Sequence, residues 1–115
     1  MIDGFFRIAF TGAKGSGFGV LALQEGVVAG ADVAGGTYVG SYVDSPESNE
    51  VRFDIKVTLP AGTTPVQTGI PLAASITVPI SGTVRHEDIL NENPVLLSNQ
   101  LGPVNIIFKK IKELP

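Results

Sequence analysis

The sequence predicts an all-β protein, a small antiparallel meander β-barrel of about eight strands. Apolar and polar residues alternate along several short segments, which is the pattern of strands with one buried face. Fourteen glycines and eight prolines separate these segments and favour turns. A chain of 115 residues forms one domain, residues 1–115, around a single core. A two-sheet sandwich is the alternative, but closure into a barrel removes exposed strand edges and is therefore favoured.

Four strands are predicted in the N-terminal half, over about residues 6–10, 18–23, 26–30 and 37–43. The second and third lie in the glycine-rich segment 15–40, which holds eight of the fourteen glycines. They are predicted to form a tight hairpin around residues 24–26, with arms so close that some positions require a residue without a Cβ atom. In the fourth strand, Tyr38 and Tyr42 are four residues apart and therefore share one face.

The clearest strand of the C-terminal half covers residues 51–59, where one face is wholly apolar and the other is polar. After a long loop, a second alternating strand follows over about 76–84. Six residues of these two strands are predicted to face inward: Phe53, Ile55, Val57, Ile76, Val78 and Ile80. Pro79 cannot donate a ladder hydrogen bond, so it indicates an edge strand or a bulge. One short helical turn at 86–90 and two last strands, about 95–98 and 104–111, complete the chain.

The charge and cysteine content exclude several classes of function. The formal net charge is −3, and the eight Lys and Arg residues are scattered, without the basic, aromatic-rich face that binds nucleic acid. The absence of cysteine excludes disulfides and thiol catalysis. No segment approaches the roughly 20 apolar residues of a membrane span, and the N-terminus does not resemble a signal peptide. We therefore expect a cytoplasmic protein with no nucleic-acid or membrane partner.

No set of residues predicts catalysis, a cofactor or a metal site. Lys14 lies among the glycines of segment 12–17, but this is not a phosphate-binding loop. In such a loop the lysine comes after the glycines and a helix begins next, whereas here Lys14 comes before the glycines and a strand follows. His86 is the only histidine, and without cysteine it cannot build a structural zinc site. A Ser-His-Asp arrangement that uses His86 is conceivable, but no nucleophile elbow is present, and an exposed loop histidine is the simpler interpretation. We expect a protein that is not an enzyme.

The segment 44–50 is the candidate partner-binding site. It combines a proline and several turn formers with three acidic residues, Asp44, Glu47 and Glu50. Such a loop is too polar to pack as core, so its charges are available to a basic partner. A merely solvated turn is the alternative interpretation. Most of the aromatic residues are expected in the core, and those on an unused face can line a pocket or a dimer contact.

The N-terminal half resembles a known family. The matching runs are DGFFRIAF at 3–10, GFGVL at 17–21, GVVAGAD at 26–32 and YVG at 38–40. These runs are similar to the opening of the GrlR-like family, small negative regulators of type III secretion gene expression. The resemblance implies a lipocalin-like barrel that forms a homodimer and binds a transcriptional activator without catalysis. It also implies that the acidic loop 44–50 holds the partner.

Two functions of different classes follow from these observations. The first is a non-enzymatic interaction module, a homodimeric barrel that sequesters a protein partner. The alternative is a carrier for a small apolar ligand, because barrels of about eight strands can hold one in the lumen. The many small residues of the chain permit such a lumen without requiring it.

Overall fold

The computed structural model describes residues 2–113, which form eight strands and one helix. The strands are β1 (Gly4–Gly12), β2 (Gly15–Gln24), β3 (Val27–Asp32), β4 (Thr37–Ser45), β5 (Glu50–Leu59), β6 (Ile76–Arg85), β7 (Val95–Asn99) and β8 (Gly102–Lys112). The helix α1 (His86–Leu90) is a single turn between β6 and β7. All the predicted elements are present, and the helical turn lies where it was expected.

The strands form one antiparallel sheet in the order β6-β5-β4-β3-β2-β1-β8-β7. The first six strands pair in chain order as a meander, and β8 returns to pair with β1. The two outermost strands come together without ladder pairing, where Leu97 of β7 packs on Gly82 of β6. The result is a nearly closed barrel, which confirms the predicted fold class. Pro79 lies on the edge strand β6, as its missing N–H donor requires.

Aromatic side chains fill one half of the barrel. Phe53 of β5 stacks on Phe108 of β8, with ring centroids 6.0 Å apart and planes 9° from parallel. Phe6 of β1 meets Phe108 edge-on at 6.4 Å. The Phe53–Phe108 contact crosses the lumen and joins strands that are far apart in the sheet order, whereas Phe6 and Phe108 lie on neighbouring strands. The Phe53–Phe108 contact therefore helps to hold the sheet closed, and aromatic pairs add about 0.5–1.5 kcal/mol each beyond the area that they bury.

The inward faces agree with the alternation in the sequence. Of the six residues predicted to face inward, four are fully buried: Phe53, Ile55, Val57 and Val78. Ile80 is partly buried and packs against the same core, and Ile76 is partly buried near the end of β6. Val78, between these two on the same strand, is the most deeply buried of the three.

Different segments cover the two ends of the barrel. Ile89 of α1 and the N-terminal Ile2 are both almost completely buried at the end that holds the aromatic cluster. The Tyr42 hydroxyl donates a hydrogen bond to the Asp3 carboxylate there. At the opposite end, the connection between β5 and β6, residues 60–75, folds across the opening, and Lys14 N–H donates to the Val66 carbonyl at 2.7 Å. We call residues 60–75 the strap.

Two strand glycines allow neighbouring backbones to approach closely. A Cβ atom on Gly30 would overlap the Val20 carbonyl oxygen, and one on Gly40 would overlap that of Asp54. The barrel is thus tightly curved at β3 and β4, where the glycine-rich segment lies. This confirms the expectation that some positions of this segment require a residue without a Cβ atom.

Gly40→Ala is expected to lower the free energy of unfolding by about 1–3 kcal/mol, because the added methyl group forces backbone to move. The matched control is Ser41→Ala, which changes the next residue on the exposed outer face and should stay within about 0.5 kcal/mol. Urea denaturation measures both values. Equal stabilities for the two variants would show that the close approach at Gly40 does not constrain the barrel.

Candidate functional sites

The three acidic residues predicted to bind a partner are not equivalent in the structure. The turn itself is only residues 46–49, with Glu47 exposed on it. Asp44 belongs to β4, and Glu50 is the first residue of β5, opposite Arg85. The prediction that all three project from a flexible loop is therefore wrong for Asp44 and Glu50, because the β4–β5 hairpin continues past them.

Asp44 pairs with the only histidine of the chain. His86 Nε2 lies 2.5 Å from Asp44 Oδ1, and both side chains are only about one-fifth exposed, at 21% and 22%. His86 N–H also donates to the Asn49 carbonyl at 2.8 Å. The interpretation of His86 as an exposed loop histidine is thus corrected. It connects the start of α1 to the β4–β5 turn.

A polar depression lies between this turn and α1. Its lining includes Ser48, Glu50, His86 and Leu90. The Ser48 hydroxyl donates to the Ser45 carbonyl at 3.3 Å, so the hydroxyl is directed away from the histidine. The Asp44–His86 pair therefore has an orienting acid and a possible base, but the serine beside it is not placed as a nucleophile.

A second, apolar cavity of about 160 Å³ lies at the opposite end, under the strap. Its walls include Ile8, Val57, Val78, Val104 and Ile106 from the barrel. Pro65 and Val66 of the strap form part of the cover. The lumen of this barrel is thus filled by aromatic rings in one half and open in the other.

Asp32 and Tyr38 form a hydrogen-bonded polar pair in the wall of this cavity. The lining also includes the polar residues Thr63, Thr64, Gln67 and Asn99. The Tyr38 hydroxyl donates to Asp32 Oδ2 at 2.7 Å, and Asp32 Oδ1 accepts from the backbone N–H groups of Ala34 at 3.0 Å and Gly36 at 2.9 Å. The carboxylate therefore has three hydrogen bonds within its own β3–β4 turn. Burial, with the hydrogen bond to Asp32 adding to it, raises the pKa of the Tyr38 hydroxyl well above its ordinary value.

The outer face of the sheet shows a third feature. The outward positions of three adjacent strands carry no charge: Ser16, Phe18, Val20, Ala22 and Gln24 on β2, Val27, Ala29 and Ala31 on β3, and Thr37, Val39, Ser41 and Val43 on β4. Several large side chains among them are more than half exposed, including Val39 at 63% and Val27 at 56%. We call these twelve residues the uncharged face. An exposed apolar patch of this kind is typical of an interaction surface.

Charged side chains return on both strands that flank the uncharged face. On β1, Arg7 pairs with Val20. On β5, Arg52, Asp54 and Lys56 are opposite Val43, Ser41 and Val39. The lack of charge is therefore confined to three neighbouring strands and does not extend around the whole barrel.

Within residues 2–113, no group of three or more His, Cys, Asp or Glu side chains is placed to hold a metal ion. No helix in the same range is long and apolar enough to cross a bilayer. No protein-family model matches the chain, and no curated protein matches it either. The functional argument thus depends on the geometry of the two barrel ends and the uncharged face.

Sequence reasoning allowed for a lumen that holds an apolar ligand but did not identify the residues of the cavity, and it missed the uncharged face. The residues that line the cavity come from all eight strands and the strap, so no local pattern marks them. The uncharged face was detectable in part, because the outward positions between Ser16 and Val43 contain no charge once the strand alternation is assigned. The signal was available in the same period-two pattern that identified the inward residues.

Alkaline pH is expected to destabilise the protein through its two tyrosines. Burial, together with the Asp3 hydrogen bond, raises the pKa of Tyr42 to about 12, and the pKa of Tyr38 is raised as well. Above pH about 10, the unfolded chain loses these protons while the folded chain keeps them. Stability is therefore fully present below about pH 10 and falls by about 1.4 kcal/mol per pH unit for each tyrosine as pH rises toward 12.

Urea denaturation at several pH values above 9 measures how steeply stability falls with pH. Tyr42→Phe is the control, because it removes the contribution of Tyr42 to this slope. Tyr42→Phe keeps every other titratable residue, so the difference in slope isolates Tyr42. The chain has two tyrosines and no tryptophan, so tyrosinate absorbance reports their ionisation directly. Ordinary titration of both tyrosines in the folded protein would contradict the prediction.

Proposed function

We propose that this protein is a non-catalytic, cytoplasmic interaction module that forms a homodimer and binds a protein partner. The observation that carries the proposal is the uncharged face of β2, β3 and β4. In a sheet with one solvated face, each strand ordinarily alternates apolar inward residues with polar or charged outward residues. Depletion of charge together with exposed apolar residues is instead the composition found at the centre of protein interfaces.

A second copy of the chain suits this face. A twofold interface places one patch against itself, and a patch without charge avoids the repulsion that a like-charged patch would meet. With strands about 4.8 Å apart, the three strands present an area of about 300 Å². An interface of standard size buries about 800 Å² per partner, so the flanking strands would form its rim. There, Asp54 between Arg52 and Lys56 offers both signs of charge to a symmetry mate.

The partner-binding part of the proposal concerns the end of the barrel at the β4–β5 turn. Glu47 and Glu50 are available to a basic partner beside the polar depression. Asp44 pairs with His86 and so helps to fix the position of the turn that carries them. The resemblance of residues 3–43 to GrlR-like regulators supports a transcriptional activator as the partner class. Charges of this kind mainly speed association and set register, and their effect weakens as salt rises.

Two arrangements at the candidate sites support a role without catalysis. The Ser48 hydroxyl donates to Ser45 and not to His86. At the polar depression, Ser48 and His86 therefore do not form a nucleophile–base pair. At the other end, the Tyr38 hydroxyl donates to the Asp32 carboxylate. Asp32 could act as a base on a substrate only if this hydrogen bond broke.

Val39→Lys is expected to weaken homodimer formation by about thirtyfold or more, because two lysines would meet near the centre of an apolar interface. Val39 is exposed in the single chain, so folding should be unaffected. Ser81→Lys on the outer side of β6 is the matched control. Sedimentation equilibrium over a range of concentrations measures the association. A monomer mass for the unmodified protein throughout that range would refute the homodimer.

The combined change Glu47→Gln and Glu50→Gln is expected to weaken partner capture from a lysate of the source organism while leaving the melting temperature nearly unchanged. Exposed charges usually alter stability by no more than about 0.5 kcal/mol. Asp44→Ala should instead destabilise the fold, because it leaves the half-buried His86 without its partner. Undiminished capture by the double variant at low salt would show that the turn is only solvated.

A further inference from the structure

We propose that the cavity under the strap is a binding site for a small, uncharged, mainly apolar molecule of about the size of one or two fused rings. Its volume of about 160 Å³ is close to that of an engineered apolar cavity of about 150 Å³ that binds benzene in another protein. Drug-sized ligands occupy pockets of about 300–1,000 Å³. The cavity volume therefore favours ligands that are smaller than drug-sized molecules.

The cavity excludes long chains as well as large rings. Val57 and Ile8 form part of its wall, and farther along the lumen the aromatic cluster of Phe6, Phe53 and Phe108 fills the other half. A fatty acyl chain would have to displace these stacked rings to extend along the lumen. A compact, rigid ligand fits the open half and loses little conformational freedom on binding.

The charge of the ligand is restricted by Asp32. It is the one group among the residues lining the cavity that is charged at neutral pH, and its negative charge opposes an anionic ligand. Its carboxylate already accepts hydrogen bonds from Ala34, Gly36 and Tyr38, so it does not need a ligand cation. A charged group in the surrounding apolar wall would lose its hydration without a new partner. Neutral molecules are therefore favoured.

The Tyr38 hydroxyl gives the site a possible contact for one polar atom. Its proton is donated to Asp32, which leaves the hydroxyl oxygen as an acceptor. A ligand with a single N–H or O–H group on an apolar ring therefore matches the wall better than a pure hydrocarbon. Indole has this character, and benzoate has a similar size with a negative charge.

The test is a titration of the full chain with indole and with benzoate, followed by two-dimensional NMR. Indole is expected to bind saturably with a dissociation constant of about 1 mM or lower, and benzoate at least about tenfold more weakly. Signals of residues at the strap end should move, including Val78 and Val104, while those of Ile2 and Ile89 should not. Absence of saturable indole binding, or shifts confined to another surface, would overturn the proposal. Equal affinity for benzoate would overturn the charge selectivity.

A matched pair of variants tests the location. Ile106 lines the cavity, and its neighbour Ile107 lies on the outer side of β8. Ile106→Phe should fill the cavity and weaken indole binding at least about tenfold, and Ile107→Phe should leave it unchanged. Equal loss in both variants, or in neither, would contradict a site in the lumen.

A second variant keeps the test decisive if Ile106→Phe does not fold. Ile80→Ala enlarges the cavity from the β6 side and should admit naphthalene more tightly than the unmodified protein does. No gain of naphthalene binding in this folded variant would count against the proposal. None of these measurements depends on self-association, so Val39→Lys should bind indole as the unmodified protein does.

Discussion

The stacking of Phe53 on Phe108 is the interaction on which the rest of the barrel depends. The two rings come from β5 and β8, which are separated in the sheet by four other strands. They can touch only if the sheet curls through most of a full turn. Once it does, the outermost strands come together at Gly82 and Leu97, and the inward faces of all strands share one core. The closing contact is therefore made by side chains across the lumen, since β6 and β7 have no ladder pairing.

The same aromatic contact divides the lumen into two unequal halves. Three phenylalanines and Tyr42 fill the half under α1. The half under the strap is lined by aliphatic residues such as Val57 and Val78 together with Phe10 and Tyr38, and there the cavity remains. A filled end and a hollow end therefore occur within one small domain.

The outside of the barrel is organised by the same alternation as the inside. The inward positions of β2, β3 and β4 are mainly apolar, with Asp32 and Asp44 as the exceptions near strand ends, and the outward positions lack charge. A parallel sheet covered on both sides has this composition, whereas an exposed antiparallel sheet usually does not. The polar depression beside α1 has the opposite character, because acidic side chains and His86 gather around it. The proposed self-association and partner binding thus use chemically different surfaces.

The sequence by itself determined the strands, the faces they bury and the helical turn, because the two-residue period is a local property of each segment. It also restricted Pro79 to an edge strand or a bulge, since proline lacks the N–H that a central strand donates, and the structure has it on the edge strand β6. Only the tertiary structure decided which distant residues meet. Asp44 and His86 are 42 positions apart, and their pairing depends on the β4–β5 turn lying against α1. The cavity likewise exists only because strands from both halves of the chain curl around a space that the strap covers. Such contacts follow from how the whole sheet closes, and no local pattern encodes that closure.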